Sequence, residues 1–328
     1  MNDILVTGGT GFVGSHMIDY ILKYAIRLDQ KIYCTKRWME DTKNLDHVRR
    51  KDRLKFIDCD LLDAHSIRRA IEISKPEKVF HFAAQSFPEV SFKTPVITLQ
   101  TNTVGTTHLL EAIKESDYDP VIVSVSTSEV YGMPNEDEVP IKETNPIRAA
   151  NPYSISKVGH DLMSQYYYDA FDLKMIITRM FSHEGSRRGK IFALSSFAYQ
   201  VVQNEKGLGD YNIRHGNLDS VRTYNHIDDA VHAYWLAVDK CDYGEVYNIG
   251  GDYTCTVGDA LDMLISKSTV KDKLVKVLDP DRVRPTDITL QIPDSTKFRE
   301  KTGWKPTKGL EEICDDLLDY WRNIGDLY

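Results

Sequence analysis

In the first two-thirds of the chain, apolar residues cluster in short runs. Longer stretches separate these runs, and in them apolar residues recur every third or fourth position. The runs at 4–7, 31–35, 54–57, 78–82, 120–125 and 174–178 predict strands, and the stretches 16–24, 64–74, 101–115 and 154–170 predict helices. Continuous apolar runs, without strict alternation, are what strands covered on both faces require. Strands alternating with helices predict an α/β fold with a doubly wound parallel sheet. The last third is less regular: 246–250 reads as a strand, and 257–266 and 310–322 as helices. No Pro/Gly-rich linker separates the two parts, so a smaller lobe packed on the first is expected. The expected division is 1–178 with 219–250 for the sheet domain, and 179–218 with 251–328 for the lobe.

The turn after the first strand is Thr7-Gly8-Gly9-Thr10-Gly11-Phe12-Val13-Gly14. Gly8, Gly11 and Gly14 at this spacing allow a tight turn, close backbone approach to a pyrophosphate and close helix–sheet contact. The following helix N-terminus adds N–H donors and a positive dipole end. A dinucleotide site is therefore expected here. The second strand ends in Cys34-Thr35-Lys36-Arg37-Trp38, without the carboxylate that would hold an adenosine ribose 2′-hydroxyl. Lys36 and Arg37 can instead meet a 2′-phosphate, which favours NADP over NAD. Of Asp58, Asp60 and Asp63 after the third strand, Asp60 is the expected adenine contact and the others are expected to be solvated.

Tyr153 and Lys157 stand four apart at the start of a helix and share one face. An ammonium beside a phenol lowers its pKa and makes it a usable proton shuttle. Upstream, Ser126-Thr127-Ser128-Glu129-Val130-Tyr131-Gly132 begins where a strand ends. In a doubly wound sheet that end lines the ligand crevice. Thr127 can donate to a substrate oxygen, and Glu129 is a carboxylate placed for acid–base work.

Composition narrows the functional classes. The 328 residues are 41% hydrophobic, enough for a full core, and the formal net charge of −8 argues against a nucleic-acid partner. The five cysteines are scattered without metal-ligand spacing, so no metal site is expected. No apolar stretch is long enough for a membrane span, and no leader pattern precedes the first strand, so a cytoplasmic location is expected.

Together these motifs resemble the extended short-chain dehydrogenase/reductase family and, within it, the GDP-mannose 4,6-dehydratases. The likeness runs nearly end to end. It includes His81-Phe82-Ala83-Ala84-Gln85-Ser86, Asn102, the Thr127 to Gly132 stretch and the Tyr153/Lys157 pair. It continues in His183-Glu184-Gly185-Ser186-Arg187-Arg188-Gly189, Gly216-Asn217-Leu218-Asp219-Ser220-Val221-Arg222 and Arg284-Pro285-Thr286-Asp287. The resemblance implies a modified Rossmann domain, a smaller α/β substrate lobe, NADP as cofactor, a GDP-linked sugar as substrate, and a homodimer or homotetramer. It implies cofactor contacts from Gly8, Thr10, Gly11, Phe12, Val13, Gly14, Lys36, Arg37, Asp60, Leu61, Phe82, Ala83, Ala84, Ser86, Tyr153, Lys157, His183 and Arg188, the last near the 2′-phosphate. Substrate contacts are implied for Ser86, Ser128, Ser182, Asn217, Arg222 and Arg284, and catalysis for Thr127, Glu129, Tyr153 and Lys157. In the implied chemistry Tyr153 takes the proton of the sugar 4-hydroxyl as C4 is oxidised, with Thr127 steadying the oxygen. Glu129 then removes the C5 proton as the C6 hydroxyl leaves, and the hydride returns to C6.

The chain departs from that pattern at Ser182, where the family carries asparagine, and at Gly185-Ser186, which lack the family's proline. Asn225 to Asp229 are closer to the wider family, and 38–50 is a shortened form of a loop used in tetramers. The sugar is therefore expected to be GDP-mannose or a related hexose, heptose or N-acetylhexosamine. A 4-epimerase or 4-ketoreductase of the same fold is the nearest alternative, and a non-catalytic dinucleotide sensor is the alternative of a different class.

Overall fold

The computed structural model describes residues 3–324, apart from 26, 28 and 51. Seven strands form one parallel sheet: β1 (Asp3–Thr7), β2 (Ile32–Lys36), β3 (Leu54–Asp58), β4 (Pro76–His81), β5 (Val121–Val125), β6 (Met175–Met180) and β7 (Val246–Ile249), in the order β7-β6-β5-β4-β1-β2-β3. The order reverses at β1 and β4, so a crevice opens at their carboxyl ends. Helices α1 (Phe12–Tyr20), α2 (Ala64–Ser74), α3 (Gly105–Lys114), α4 (Pro152–Phe171), α5 (Ala193–Glu205), α6 (Ile227–Lys240), α7 (Val257–Ser266) and α8 (Leu310–Asn323) complete the main layers.

Both faces of the sheet are covered, as the apolar runs required. Ile4 and Val6 pack with Met17, Ile18, Val231 and Tyr234 on one side. Leu5 and Val79 pack with Ile67, Ile71, Leu109, Ile113 and Tyr167 on the other. Side chains alternate across the sheet with a period of two, so neighbours in β1 serve different layers.

The smaller lobe has its own core, built from α5, α7 and α8 around Phe197, Leu261, Leu264, Leu317 and Trp321. A four-stranded sheet joins it to the active side: Val221–His226 pairs with Tyr253–Thr256, Leu290–Gln291 and His183–Glu184. The chain crosses back to the large sheet at α6, whose Ile227, Ala230, Val231 and Tyr234 are buried. The sequence reading did not pick out α5 or α6. In α6 the 3.6-residue period is present, and two acidic residues in its first turn complement the helix dipole.

A buried ion pair fixes α4 to the sheet. Arg179 of β6 donates to Asp161 of α4 through two nitrogens, at 2.9 and 3.0 Å. Its third nitrogen donates to the Tyr131 hydroxyl, which in turn donates to Asn248 of β7 at 2.7 Å. This network ties the turn after β5 to the helix carrying Tyr153. Breaking a buried pair by removing one partner leaves an uncompensated charge. Asp161→Ala is therefore expected to cost about 3–5 kcal/mol, read as a lower denaturation midpoint in urea.

Candidate active site

The glycine turn closes as its sequence requires. Gly8 has φ +64°, its N–H donates to the Thr35 hydroxyl at 3.2 Å, and its carbonyl accepts the Gly11 N–H at 3.1 Å. A Cβ on Gly8 would stand 2.8 Å from the Ala83 backbone, and one on Gly14 would stand 2.3 Å from the Gly8 oxygen. These two positions exclude any side chain. Gly11 is exposed at the start of α1, so the helix N-terminus faces the crevice unobstructed. Phe12 stacks on His183, and the Arg188 guanidinium lies over the rings of Phe12 and Phe192, 4.9 and 3.5 Å from their centroids.

At the end of β2 the two cations differ. Lys36 is committed to Asp58 by a 2.7 Å ion pair, and Arg37 is largely exposed, with Glu40 3.6 Å away. Two aspartates expected to be solvated have structural partners: Asp58 holds Lys36, and Asp63 caps α2 by accepting the His65 N–H. Asp60 is exposed, and its carboxylate accepts the Leu62 N–H. Leu61 is buried against Gly105. Ser86 is exposed, and Phe82, Ala83 and Ala84 are partly buried beside the turn.

Beneath Lys157 lies a buried polar chain. The Ala83 N–H donates to the Thr7 hydroxyl, which meets His81; His81 and His160 both contact the Thr106 hydroxyl and stack with centroids 5.4 Å apart. Burial, with the Lys157 charge second, pulls His81 down to about 3, and His160 also lies well below its usual value. Both imidazoles are neutral near pH 7. The Lys157 ammonium donates to the Val125 carbonyl at 2.5 Å, and burial pulls it down to about 7 against the opposing Asp161 charge.

The turn after β5 carries Thr127, Ser128 and Glu129. The Thr127 hydroxyl accepts the Glu129 N–H at 3.2 Å, and Ser128 donates to Gln291 of the small lobe at 2.9 Å. Glu129 accepts a hydrogen bond from Asn151 at 3.0 Å. Tyr153 is partly buried. Its phenol is held above the ordinary range by burial and then by the Glu129 charge, while a Thr127 hydrogen bond and Arg188 pull the other way. This reverses the sequence expectation of a lowered value. The physical reason is burial first and the Glu129 charge second, while the Lys157 ammonium is engaged with the Val125 carbonyl.

In the small lobe Asp287 is the hub. It accepts from Asn217 at 2.9 Å and Ser220 at 2.8 Å, and lies 3.9 Å from Arg222. Arg222 also donates to the carbonyls of Val221 and Ile288. Burial lowers its pKa, and the charges of Asp287, Glu129 and Arg284 all bear on it. Arg222 therefore lies within electrostatic reach of Glu129 in the catalytic turn. Ser182 is partly buried, and its carbonyl accepts the Asn225 N–H.

Among the described residues, buried polar atoms without a hydrogen-bond partner include Thr10 Oγ1, His183 Nε2 and Tyr234 OH, and Arg188 Nε faces Glu184 Oε2 at 3.5 Å. Burial, with the Arg188 charge second, brings His183 down to about 4, and burial raises Glu184 against the Arg188 charge. Unpaired buried groups are costly, so this set marks a place built for a polar ligand. Together with the glycine cradle, it fits a nicotinamide dinucleotide.

The sequence model of the GDP-mannose 4,6 dehydratase family matches residues 5–317. The chain belongs to that family. Its nucleotide-sugar dehydratase relatives include the human dTDP-D-glucose 4,6-dehydratase, 29% identical over 97% of this chain and 89% of that protein. The GDP-mannose 4,6-dehydratase of Yersinia enterocolitica is 26% identical over 100% of this chain and 94% of that one. Among solved structures, the Streptomyces venezuelae dTDP-glucose 4,6-dehydratase with NAD bound superposes with a TM-score of 0.84. It is 27% identical and covers 98% of this chain and 96% of that one.

Within this nucleotide-sugar 4,6-dehydratase frame, the fold brings Thr127, Glu129 and Tyr153 together. It sets Lys157 slightly apart, on the Val125 carbonyl. The described contacts of the Arg188 side chain are with Phe12, Phe192 and Glu184, and its charge acts on Tyr153; none involves Lys36 or Arg37. Sequence reasoning passed over Asn151, Tyr234 and Gln291. For Asn151 a local signal existed, since an asparagine before Pro-Tyr is a helix N-cap pattern.

Proposed function

We propose that this chain is an NADP-dependent 4,6-dehydratase of a GDP-linked sugar, releasing a 4-keto-6-deoxy sugar nucleotide. The observation that carries the reading is Glu129, a carboxylate fixed in the catalytic turn close enough to raise the Tyr153 pKa. Oxidation at C4 needs only the phenol; removing a proton from C5 needs a second base, and Glu129 is that group. Tyr153 takes the 4-hydroxyl proton, and Thr127 hydrogen-bonds the same oxygen. Glu129 takes the C5 proton, which the new ketone has acidified, and passes it to the C6 hydroxyl, which leaves as water; the hydride removed from C4 would then return to C6 while C5 regains a proton, giving the 4-keto-6-deoxy product. When bound, the nicotinamide supplies a reversible hydride acceptor. Gly8, Thr10, Gly11, Phe12, Val13 and Gly14 would hold its diphosphate end, with Leu61, Phe82, Ala83, Ala84 and Ser86 along the crevice and His183, Arg188 and Lys157 near the reacting end. Arg222, Arg284 and Asn217 would hold the nucleotide, with Ser128 and Ser182 toward the sugar.

The deciding experiment is mass analysis of products from a panel of GDP-, dTDP-, UDP- and CDP-sugars. Loss of water without net consumption of NADPH is the expected result, with GDP-sugars preferred. Stoichiometric consumption of NADPH would make the protein a ketoreductase, and an epimer without a stable ketone would make it an epimerase.

The preference for NADP rests on Arg37, a largely exposed guanidinium at the end of β2 where no carboxylate stands. Arg37→Ala is expected to weaken NADP binding about tenfold to a hundredfold and leave NAD binding unchanged, as measured by calorimetry. Equal weakening of both would remove Arg37 from the 2′-phosphate site.

A homodimer or homotetramer is part of the same reading. Ile155, Leu162 and Tyr166 form an exposed apolar stripe on α4, and Val96, Ile97 and Val104 are exposed on the chain before α3. Such a stripe is usual for a helix that packs against a partner. Among the described residues no helix is long and apolar enough to cross a membrane. The reading places the protein in the cytoplasm, with no nucleic-acid partner.

A further inference from the structure

Asn151 is the N-cap of α4, the helix that carries Tyr153 at its second position. Its Oδ1 accepts the Ser154 N–H at 2.8 Å, and the Ser154 hydroxyl accepts the Asn151 N–H at 3.0 Å. This reciprocal capping box locks the side chain, which is buried. With Oδ1 spent on the helix, Nδ2 is left as a pure donor, and it donates to Glu129 Oε2 at 3.0 Å. One carboxamide therefore joins the end of the helix bearing the phenol to the carboxylate in the turn after β5.

We propose that Asn151 is a positioning residue that holds the Glu129 carboxylate in the geometry needed to take the carbon proton. This rests on the reading of Glu129 as the base. A glutamate has several rotatable bonds, and the described hydrogen bonds to its carboxylate include only this one from Asn151. Its backbone is already fixed through the Thr127 hydroxyl, so the amide governs the remaining freedom of the side chain. The capping bond sets where Nδ2 points, so the distance between the two proton-transfer groups is set from one anchor. The substrate loop reaches the same point: Thr286 donates to the carbonyl of Ala150, next to Asn151, at 2.8 Å.

The test separates the cap from the amide. Serine is as good an N-cap as asparagine but too short to reach Glu129, so Asn151→Ser keeps the helix start and removes only the donor. Asn151→Asp keeps the cap and sets a like charge against Glu129. The measurements use the sugar nucleotide of the panel that the wild-type protein turns over. The first oxidation is followed by the near-ultraviolet absorbance of reduced nicotinamide in a single turnover, and elimination by deuterium uptake from heavy water into the product. In Asn151→Ser, elimination is expected to slow about tenfold to a hundredfold, with KM, the first oxidation and the melting temperature essentially unchanged. Asn151→Asp is expected to slow it further. Wild-type elimination in Asn151→Ser would overturn the proposal, as would an equal fall in oxidation and elimination, which would mean that the residue only supports the helix. Glu129→Gln in parallel distinguishes the two levels. If it eliminates normally, the base assignment and this proposal fall together. If it is blocked while Asn151→Ser runs normally, only the role of Asn151 falls.

Discussion

Glu129→Gln is expected to lower formation of the 4-keto-6-deoxy product by about 10²–10⁴-fold, the range that a positioned general base contributes. The amide is nearly isosteric, so folding and cofactor binding should persist. The first oxidation should persist too, and its pH dependence should move. The Glu129 charge is the second cause, after burial, of the raised Tyr153 pKa. Removing that charge removes a raising influence, so the phenol ionises at lower pH. A step that needs the phenolate rises in rate as pH passes its pKa. Its half-maximal point should therefore shift downward in Glu129→Gln, as read from single-turnover oxidation across a pH series. An unchanged or upward shift would mean that Glu129 does not act on Tyr153, and undiminished product would remove Glu129 as the base.

Tyr153→Phe is expected to stop the reaction one step earlier, by a similar factor of about 10²–10⁴. It deletes one hydroxyl and leaves the ring to fill its place, so α4 and its capping box should be untouched. Neither reduced nicotinamide nor deuterium uptake should then appear in a single turnover. The two variants thus differ in kind: Glu129→Gln halts after oxidation, Tyr153→Phe before it. Normal oxidation in Tyr153→Phe would transfer the role to another group. The buried Tyr234, whose hydroxyl has no described partner and whose charge couples to Tyr153, would be the first to examine.

Much of the site was legible because its signals are local. The glycines of the first turn are needed where backbone meets backbone at Ala83 and at Gly8 itself, and spacing alone reports that. Tyr153 and Lys157 share a face because four residues make about one helical turn. The apolar runs gave the parallel sheet, since each strand had to be buried on both sides. The small lobe was less readable for a physical reason. His183–Glu184 and Leu290–Gln291 are too short to show any period, and they exist as strands only because each pairs with Val221–His226.

The sequence by itself determined the fold class and the glycine turn and named the candidate site residues, because these depend on periodicity and residue type within a few positions. Tertiary structure decided how those residues are engaged. Lys36 is neutralised by Asp58, 22 residues away, and Asn217 is held by Asp287, 70 residues away. Lys157 rests on a strand carbonyl, and the phenol of Tyr153 faces a carboxylate. Such pairings follow from the register between strands and the angle at which α4 meets the sheet. These are set by the packing of the whole core, and no local pattern in the chain encodes them.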